Sequence, residues 1–289
     1  MAEARIGLAL SSGGARGSAH VGVLKVLEQE GLAPAAIAGT SMGAEIGAAF
    51  AADIPLPEIE TLWRSTSLAR VVKMLRPTIP WSGWSSGRQI NRSLTALFGD
   101  RRFEDLTIPC AAMATNLETG EPVVIDSGPI VPAVRASLSV PGLFTPVWLD
   151  GQLLIDGGVS NPMPVAAARA MDVDLVIAVD VLVEPAEVHL SGIQASPLRD
   201  RVNGLSNGAG RFHPSVFSVL FQMSTVFQKR ICTLQLRDHP PDLIVRPDFR
   251  VDPPTYSHVG CGIEAGETAM RAALPRLRQL LSEWAPSTP

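Results

Sequence analysis

The segment Gly39-Thr40-Ser41-Met42-Gly43 places a serine between two glycines in the pattern G-x-S-x-G. This pattern is typical of a nucleophilic serine on a sharp strand-to-helix turn, where bulky neighbours would clash with the crossing backbone. The helix after such a turn directs its N-terminal amides toward negative charge that develops near the serine. The same pattern also fits a turn whose glycines only let a helix pack closely on a sheet. The motif alone leaves both interpretations open.

A glycine-rich loop, Ser12-Gly13-Gly14-Ala15-Arg16-Gly17, follows the first apolar run and could present backbone amides to an anion. Glycines leave N–H groups unshielded, as both an oxyanion hole and a phosphate cradle require. The loop is neither a P-loop nor a G-x-G-x-x-G motif, because its glycine spacing differs from both. An ordinary strand-to-helix turn has the same composition. Arg16, the one charge in the loop, could meet a lipid phosphate or have a structural role.

Asp156 is followed by two glycines and preceded by the apolar residues Leu153, Leu154 and Ile155. An aspartate at a strand end, with neighbours that lack side chains, can approach another backbone closely and act there as a base. A plain Asp-Gly turn has the same sequence and is more frequent. The chain distance from Ser41 does not decide between the two interpretations.

Composition limits the classes of protein to which the chain can belong. The 289 residues are 46 % hydrophobic and 18 % charged, which favours a large core and argues against disorder. The net charge of −4 implies no basic surface, so nucleic acid is not an expected partner. Cys110, Cys232 and Cys261 are odd in number and lack C-x-x-C spacing, which argues against a disulfide framework or a zinc site. Because no signal peptide or membrane-spanning run is visible, we expect a cytoplasmic protein whose membrane contact, if any, is peripheral.

Apolar runs and helical periodicity alternate along the chain, which favours a parallel sheet covered by helices. Strands are predicted over residues 6–10, 35–39, 110–115, 123–125, 153–155, 175–181 and 243–245. Helices are predicted over residues 19–30, 42–52, 88–97, 130–139, 216–234 and 263–281. Residues 55–105 could form a helical cap, and residues 184–212 are expected to be a surface loop. We expect one domain over residues 1–289, because no repeat or linker is evident.

Two apolar clusters could either pack internally or meet a substrate. The first could cap the site or form an interfacial patch, since Trp favours membrane interfaces, and ordinary packing is the alternative. It consists of Trp63, Val71, Val72, Met74, Leu75, Trp81 and Trp84. The second is a helical stripe, which we expect to face the core, as most such stripes do. It consists of Val216, Leu220, Met223, Val226 and Phe227.

In combination, these motifs resemble those of the patatin-like phospholipase family. The resemblance covers almost the whole chain, and several motifs in the family's order are far more specific than any one of them. Ser12 departs from the family, which commonly has another glycine there. Besides the glycine loop, the serine turn and Asp156-Gly157-Gly158-Val159, the matching segments are His20-Val21-Gly22-Val23-Leu24, Ala114-Thr115-Asn116-Leu117-Glu118-Thr119-Gly120, Ala133-Val134-Arg135-Ala136-Ser137, Pro141-Gly142-Leu143-Phe144, Pro146-Val147 and Asn161-Pro162-Met163-Pro164-Val165.

The resemblance implies a three-layer α/β/α sandwich with a mainly parallel central sheet, and a Ser–Asp dyad in place of a Ser–His–Asp triad. Ser41 matches the family's nucleophile and Asp156 its catalytic aspartate. Gly13, Gly14 and Ala15 fall on the oxyanion loop. The implied activity is hydrolysis of a lipid or simpler acyl ester, as by a phospholipase, lysophospholipase or carboxylesterase, and this chemistry needs no cofactor and no metal.

Two alternatives stay open at the level of sequence. A conventional triad could recruit one of the late histidines, His213, His239 or His258. A non-catalytic lipid- or acyl-binding regulatory protein could keep the fold without the reaction. A direct dyad instead requires the Ser41 hydroxyl about 2.6–3.2 Å from the Asp156 carboxylate. It also requires a partly apolar pocket that raises the pKa of that carboxyl.

Overall fold

A mixed β-sheet forms the centre of the protein, and helices cover both of its faces. The structure, a computed structural model, describes residues 4–64, 85–185, 216–250 and 258–284. In these ranges the strands are β1 (Ile6–Leu10), β2 (Ala36–Thr40), β3 (Cys110–Asn116), β4 (Pro122–Ile125), β5 (Val147–Leu149), β6 (Gln152–Asp156), β7 (Leu175–Val179) and β8 (Leu243–Val245). The α-helices there are α1 (Ser18–Gln29), α2 (Met42–Ala51), α3 (Leu56–Arg64), α4 (Arg88–Phe98), α5 (Ile130–Ser137), α6 (Val165–Arg169), α7 (Val216–Asp238) and α8 (Gly260–Glu283).

Hydrogen bonds join the strands in the order β5-β6-β3-β2-β1-β7-β8, and β4 pairs with β3 outside this path. Strands β1, β2, β3, β7 and β8 are paired in parallel, whereas β4 and β6 run antiparallel to β3. Strands β1, β2 and β7 are buried along their whole length, which explains why their sequences are nearly continuous apolar runs. The expected α/β sandwich with a mainly parallel sheet is confirmed.

The two faces of the sheet carry side chains of different size. Leu8 and Leu10 of β1 pack into a large cluster with α1, α2 and α8. The opposite face is lined by small side chains, among them Ala9 and Ala38, and α6 and α7 pack there. Because these side chains are small, the helices on this face can come close to the strand ends that carry the candidate site.

The carboxyl ends of β1 and β2 lie side by side along the edge of the sheet where the parallel strands end, because Leu10 pairs with Gly39. The glycine loop follows β1 and Ser41 follows β2, so the two motifs meet at that edge. Sites in parallel α/β sheets commonly form in this position, beyond the carboxyl ends of neighbouring strands.

Every predicted strand and helix is present, with ends that differ by a few residues. The helix predicted over residues 130–139 ends at Ser137, just before Pro141, which cannot continue a helix. Strand β5 and helix α6 were not predicted, because elements of three and five residues carry too little periodicity to recognise. No helix of the described ranges is long and apolar enough to span a membrane.

The structure describes one of the two apolar clusters only in part and differs from the expectation for the other. Trp63 is buried in α3, whereas the other members of its cluster and most of the predicted 184–212 loop lie outside the described residues. The expectation that the α7 stripe faces the core is wrong for three of its five members, whereas Val226 is half-buried and the side chain of Val216 lies outside what the structure describes. Leu220, Met223 and Phe227 are 47 %, 44 % and 55 % exposed, because α7 packs on the sheet through its opposite side.

The close contact of α2 with β1 gives a test of the serine turn. A Cβ atom on Gly43 would overlap the Leu10 carbonyl oxygen, and this backbone atom cannot move without shifting β1. Gly43→Ala is therefore expected to lower the free energy of unfolding by at least about 2 kcal/mol, the scale of an overpacked core. Urea denaturation measures this change.

Gly47→Ala on the same helix is the matched control. Its added Cβ would meet the Ile37 Cγ2 methyl at 2.8 Å, a milder overlap that involves a side chain and not backbone, so a smaller loss of stability is expected. The preference of alanine over glycine in a helix, about 1 kcal/mol, is common to both variants, so the difference between them measures the contact. If both variants were equally stable, the close approach at Gly43 would not be a constraint on the turn.

Candidate active site

Ser41 occupies a strained turn between β2 and α2. Its φ and ψ angles are 55° and −116°, a conformation that side-chain-bearing residues rarely adopt, and such strain costs on the order of 1–3 kcal/mol. A Cβ atom on Gly39 would overlap the backbone of Gly43, so the turn needs glycine at this position for packing alone. The Ser41 amide donates a hydrogen bond to Ser137 Oγ at 2.8 Å, which replaces the pairing that the turn removes.

Asp156 ends β6, and each of its carboxylate oxygens accepts a hydrogen bond. Oδ2 accepts from Ser41 Oγ at 2.8 Å, and Oδ1 accepts from the Gly158 amide at 2.7 Å. The Asp156 amide donates to the Ser139 carbonyl at 3.0 Å, which fixes the backbone on its other side. The Ser41–Asp156 distance lies within the range that a direct pair requires.

The register of β3 explains why two residues so distant in sequence meet. Thr40, the residue before Ser41, pairs with Met113 of β3, and Asp156 pairs with Ala114, the next residue of the same strand. Strand β4 pairs with β3 along both of these positions. Since a strand has only two edges, β2 and β6 must use successive parts of one edge of β3, and their ends converge there.

Burial dominates the electrostatics of the pair. The Asp156 side chain is 3 % exposed, and desolvation raises its pKa to about 6, although hydrogen bonds from the Gly158 amide and the Ser41 hydroxyl oppose this rise. The carboxyl is therefore mostly ionised at neutral pH. It is also a stronger base than a solvated carboxylate, whose pKa is about 3.9.

The glycine loop lies against the start of α2, since a Cβ atom on Gly17 would lie 2.6 Å from Met42 Cβ. The amides of Gly13, Gly14 and Ala15 donate to no acceptor in the part of the chain that the structure describes. These three residues are partly exposed, whereas the residues on either side are buried. Amides with free N–H groups beside a buried serine are what an oxyanion hole requires.

Three contacts hold the base of this loop. Ser12 Oγ donates to Gln228 Oε1 of α7 at 2.8 Å, and the Ser12 amide donates to the Pro162 carbonyl at 3.0 Å. His20 Nε2 bonds to the Ser11 carbonyl at 2.9 Å. Ser12, where the family commonly has glycine, thus fastens the loop to α7 and leaves the amides of the next residues free.

Arg16 is 9 % exposed, and its guanidinium lies 4.8 Å from the centre of the Phe249 ring. A guanidinium stacked on an aromatic face is stabilised by the ring and shielded from water. This position favours the structural interpretation of Arg16 over contact with a lipid phosphate.

No histidine of the described residues contacts Ser41 or Asp156. His239 and His258 are exposed, and His213 lies outside the described residues. His20 is fully buried, and desolvation lowers its pKa to about 4, so it is neutral and donates Nε2–H to the Ser11 carbonyl. The described residues also contain no cluster of His, Cys, Asp and Glu side chains that could hold a metal ion.

Several positioning residues were not singled out from the sequence as parts of the site. Ser137 and Ser139 hold the amides of Ser41 and Asp156, and the Arg135 side chain donates to Ser139 Oγ at 2.5 Å. Two of the three, Arg135 and Ser137, lie in the segment Ala133–Ser137, which is one of the segments that resemble the family. The sequence therefore marks this segment as part of the family pattern but does not indicate what the two residues bind. Gln228 carried no signal, because its contact with Ser12 depends on how α7 packs.

Comparisons with known proteins bear on the family of the chain. A model of the patatin-like phospholipase family matches residues 8–169. An uncharacterized NTE family protein of Mycobacterium tuberculosis is 38 % identical over 196 residues, which cover 68 % of this chain and 52 % of that protein. Lysophospholipase nte1 of Aspergillus fumigatus is 36 % identical over 181 residues, which cover 61 % of this chain and 12 % of that protein.

Patatin-like phospholipase domain-containing protein 7 of Rattus norvegicus is 38 % identical over 181 residues, which cover 61 % of this chain and 13 % of that protein. The crystal structure of VipD from Legionella pneumophila has a similar fold, with a TM-score of 0.52 and 14 % identity over 95 % of this chain and 67 % of that one. The family match spans more than half of the chain, so the chain belongs to the patatin-like phospholipase family. It corresponds to about half of the mycobacterial relative and to a small part of the fungal and rat proteins.

The raised pKa of Asp156 predicts how stability depends on pH. A carboxyl whose pKa is higher in the folded than in the unfolded state destabilises the fold once it ionises, so stability falls as the pH rises from about 4 through about 6. Asp156→Asn removes this charge and keeps the shape. Its free energy of unfolding is expected to exceed that of the wild type by about 2–3 kcal/mol at pH 8 and to match it below pH 4.

Chemical denaturation at pH 4 and pH 8 measures the two differences. Asp150→Asn, at an exposed position in the turn before β6, is the matched control and should show no such pH-dependent gain. A wild type as stable as Asp156→Asn at both pH values would mean that Asp156 is not desolvated.

Proposed function

We propose that this chain is a serine hydrolase that cleaves acyl esters through a Ser41–Asp156 dyad. The observation that carries the proposal is the 2.8 Å hydrogen bond from the Ser41 hydroxyl to a buried carboxylate whose pKa is raised to about 6. A serine hydroxyl is a poor nucleophile until a base takes its proton, and the bonded carboxylate is in place to take it.

In the acylation step, Ser41 Oγ attacks the ester carbonyl carbon and its proton passes to Asp156 Oδ2. The carbonyl oxygen becomes an oxyanion in a tetrahedral intermediate. When the intermediate collapses, the bond to the alcohol oxygen breaks, and the leaving alkoxide takes the proton from Asp156. The products of this half-reaction are a free alcohol and an acyl ester on Ser41.

In the deacylation step, a water molecule takes the place of the alcohol. Asp156 removes one proton from the water, and the resulting hydroxide attacks the acyl carbonyl. Collapse of the second intermediate breaks the bond to Ser41 Oγ, which recovers its proton from Asp156. The carboxylic acid leaves, and the free pair is restored.

The amides of Gly13, Gly14 and Ala15 are the proposed donors to the oxyanion. They lack acceptors in the described residues, and Gly17 of the same loop lies against Met42 at the start of α2. Helix α2 begins directly after Ser41, so its N-terminal N–H groups and dipole also favour negative charge beside the serine. One such donor is commonly worth about 10²–10³ in turnover.

The relatives indicate which esters to try first. A lysophospholipase and a patatin-like phospholipase domain protein share more than a third of their residues with this chain over the matched region. We therefore infer that lysophospholipids and phospholipids are the best candidate substrates, with simple p-nitrophenyl esters as soluble surrogates. A histidine triad is less favoured, because His239 and His258 are exposed and neither bonds to Ser41 or Asp156 in the described residues.

Substitutions separate the dyad from its alternatives. Ser41→Ala is expected to abolish hydrolysis of p-nitrophenyl butyrate and lysophosphatidylcholine while the circular dichroism spectrum stays unchanged. His213→Ala, His239→Ala and His258→Ala should each keep most of the activity and serve as controls. Wild-type turnover from folded Ser41→Ala would refute the nucleophile, and an essential histidine would establish a triad.

The pH profile tests the base. Since only ionised Asp156 can accept the proton, kcat/KM is expected to rise with pH through about 6 and to reach a plateau above it. Asp156→Asn should lower kcat by roughly 100-fold or more, the scale of a lost general base. The rise of kcat/KM with pH should be absent in this variant. A profile governed by a group that titrates elsewhere would contradict the assignment.

A further inference from the structure

Helix α7 presents a continuous apolar face to solvent. Its large apolar side chains on that side are 42–56 % exposed, and they are Val219, Leu220, Met223, Phe227 and Leu234. Spacings of three, four and seven residues place the last four on one side of a helix. From Leu220 to Leu234 this face runs for about 21 Å at 1.5 Å per residue.

The opposite side of α7 is fixed to the body of the protein. Gln228 accepts a hydrogen bond from Ser12, Lys229 forms an ion pair with buried Asp180 at 3.4 Å, and the Gln235 side chain donates to the Ser160 carbonyl at 3.0 Å. Cys232, on the same side, is buried against the sheet. These contacts set the rotation of the helix, so its apolar face cannot turn inward while they persist.

Cations lie among the exposed apolar side chains. Arg230 and Arg237 follow Met223 at intervals of seven residues and are exposed, so they share its side of α7. Neither pairs with a carboxylate in the ranges that the structure describes. The one acidic residue of α7 is Asp238, at its end, although the whole chain has a net charge of −4.

Apolar side chains with interspersed arginines suit one kind of partner better than others. Helices that lie in the surface of a bilayer bury their apolar side chains among the acyl chains, while their cations meet anionic headgroups. A second copy of this chain would bring the arginines of two α7 helices together, which is unfavourable. A neutral apolar protein surface would leave both arginines without a counter-charge.

The position of α7 connects this face to the candidate site. Gln228, adjacent in sequence to Phe227, bonds to the glycine loop, and a Cβ atom on Gly158 would lie 3.0 Å from Gln228 Nε2. One side of α7 therefore contacts both the glycine loop and the turn after Asp156. A surface that touches the other side is therefore about one helix diameter, roughly 10 Å, from the residues of the glycine loop and the Asp156 turn that contact Gln228.

We propose that the exposed face of α7 docks the protein on an anionic phospholipid bilayer. Leu220, Met223, Phe227 and Leu234 enter the interfacial region, and Arg230 and Arg237 bind lipid phosphates. Docking places the glycine loop and the turn after Asp156 about one helix diameter, roughly 10 Å, from the lipid. The proposal rests on the proposed function, because docking would bring the candidate site to its lipid substrate. The docking itself does not depend on turnover.

Sedimentation with vesicles tests the docking on the full chain. The protein is mixed with vesicles of phosphatidylcholine alone, or of equimolar phosphatidylcholine and phosphatidylglycerol, at low and high salt. Wild type is expected to bind the anionic vesicles and to be released by salt. The double variants Phe227→Ser/Leu234→Ser and Arg230→Gln/Arg237→Gln should each bind at least about tenfold more weakly, because each pair supplies more than about 1.4 kcal/mol of partitioning.

Val124→Ser is the matched control, because Val124 is 49 % exposed on the edge strand β4, away from α7. It should bind vesicles like the wild type. Hydrolysis of soluble p-nitrophenyl butyrate should be unchanged in all three variants, which separates docking from chemistry. Vesicle binding without esterase activity would refute the proposed reaction and support the docking.

Three outcomes would overturn the docking. Both double variants could bind anionic vesicles as tightly as wild type, or wild type could bind phosphatidylcholine vesicles equally well. Wild type could also ignore vesicles and form a dimer that Phe227→Ser/Leu234→Ser dissociates, as seen by light scattering. That last result would make the α7 face a contact between copies of the chain.

Discussion

The rest of the site depends on one hydrogen bond, from the Ser41 hydroxyl to the buried Asp156 carboxylate. It requires β2 and β6 to end at neighbouring positions on one edge of β3. It also requires a turn so tight that Gly43 lies against the backbone of β1. In the proposed mechanism this direct bond takes the place of an intervening histidine, because burial raises the pKa of the Asp156 carboxyl and makes the carboxylate a stronger base.

This arrangement is unfavourable for stability at two points. Ser41 has a strained backbone, and Asp156 loses hydration, so each costs on the order of 1–3 kcal/mol. The surrounding sheet holds both residues in place, because β1 and β2 are buried throughout and paired along their length. On the face of the sheet that lies away from α1, α2 and α8, small residues let α7 approach the strands. Through Gln228, α7 then holds the glycine loop.

Sequence patterns predict the elements that carry strong periodicity and the motifs that need glycine. They locate β1, β2, α1 and α2, whereas Ser41, Asp156 and the glycine loop are ambiguous one by one and become candidates through the order of motifs that resembles the family. They do not reveal the Ser12–Gln228 contact, because it joins segments distant in the chain whose packing no local pattern specifies. Arg135 and Ser139 are close in the chain, but their contact depends on the backbone after the end of α5, which periodicity does not specify. The stripe on α7 was recognised, but a helical period gives only the existence of a face, and tertiary contacts determine whether it points inward.

The central claim is that Asp156 activates Ser41, and the rate of covalent labelling tests it most directly. A fluorophosphonate probe forms a bond to the attacking serine oxygen and releases fluoride, so mass spectrometry of the labelled peptide identifies the nucleophile. If Asp156 is the base, labelling is expected at Ser41, at a rate that rises with pH through about 6 and falls by roughly 100-fold in Asp156→Asn. Labelling at another residue, or wild-type rates in Asp156→Asn, would contradict it.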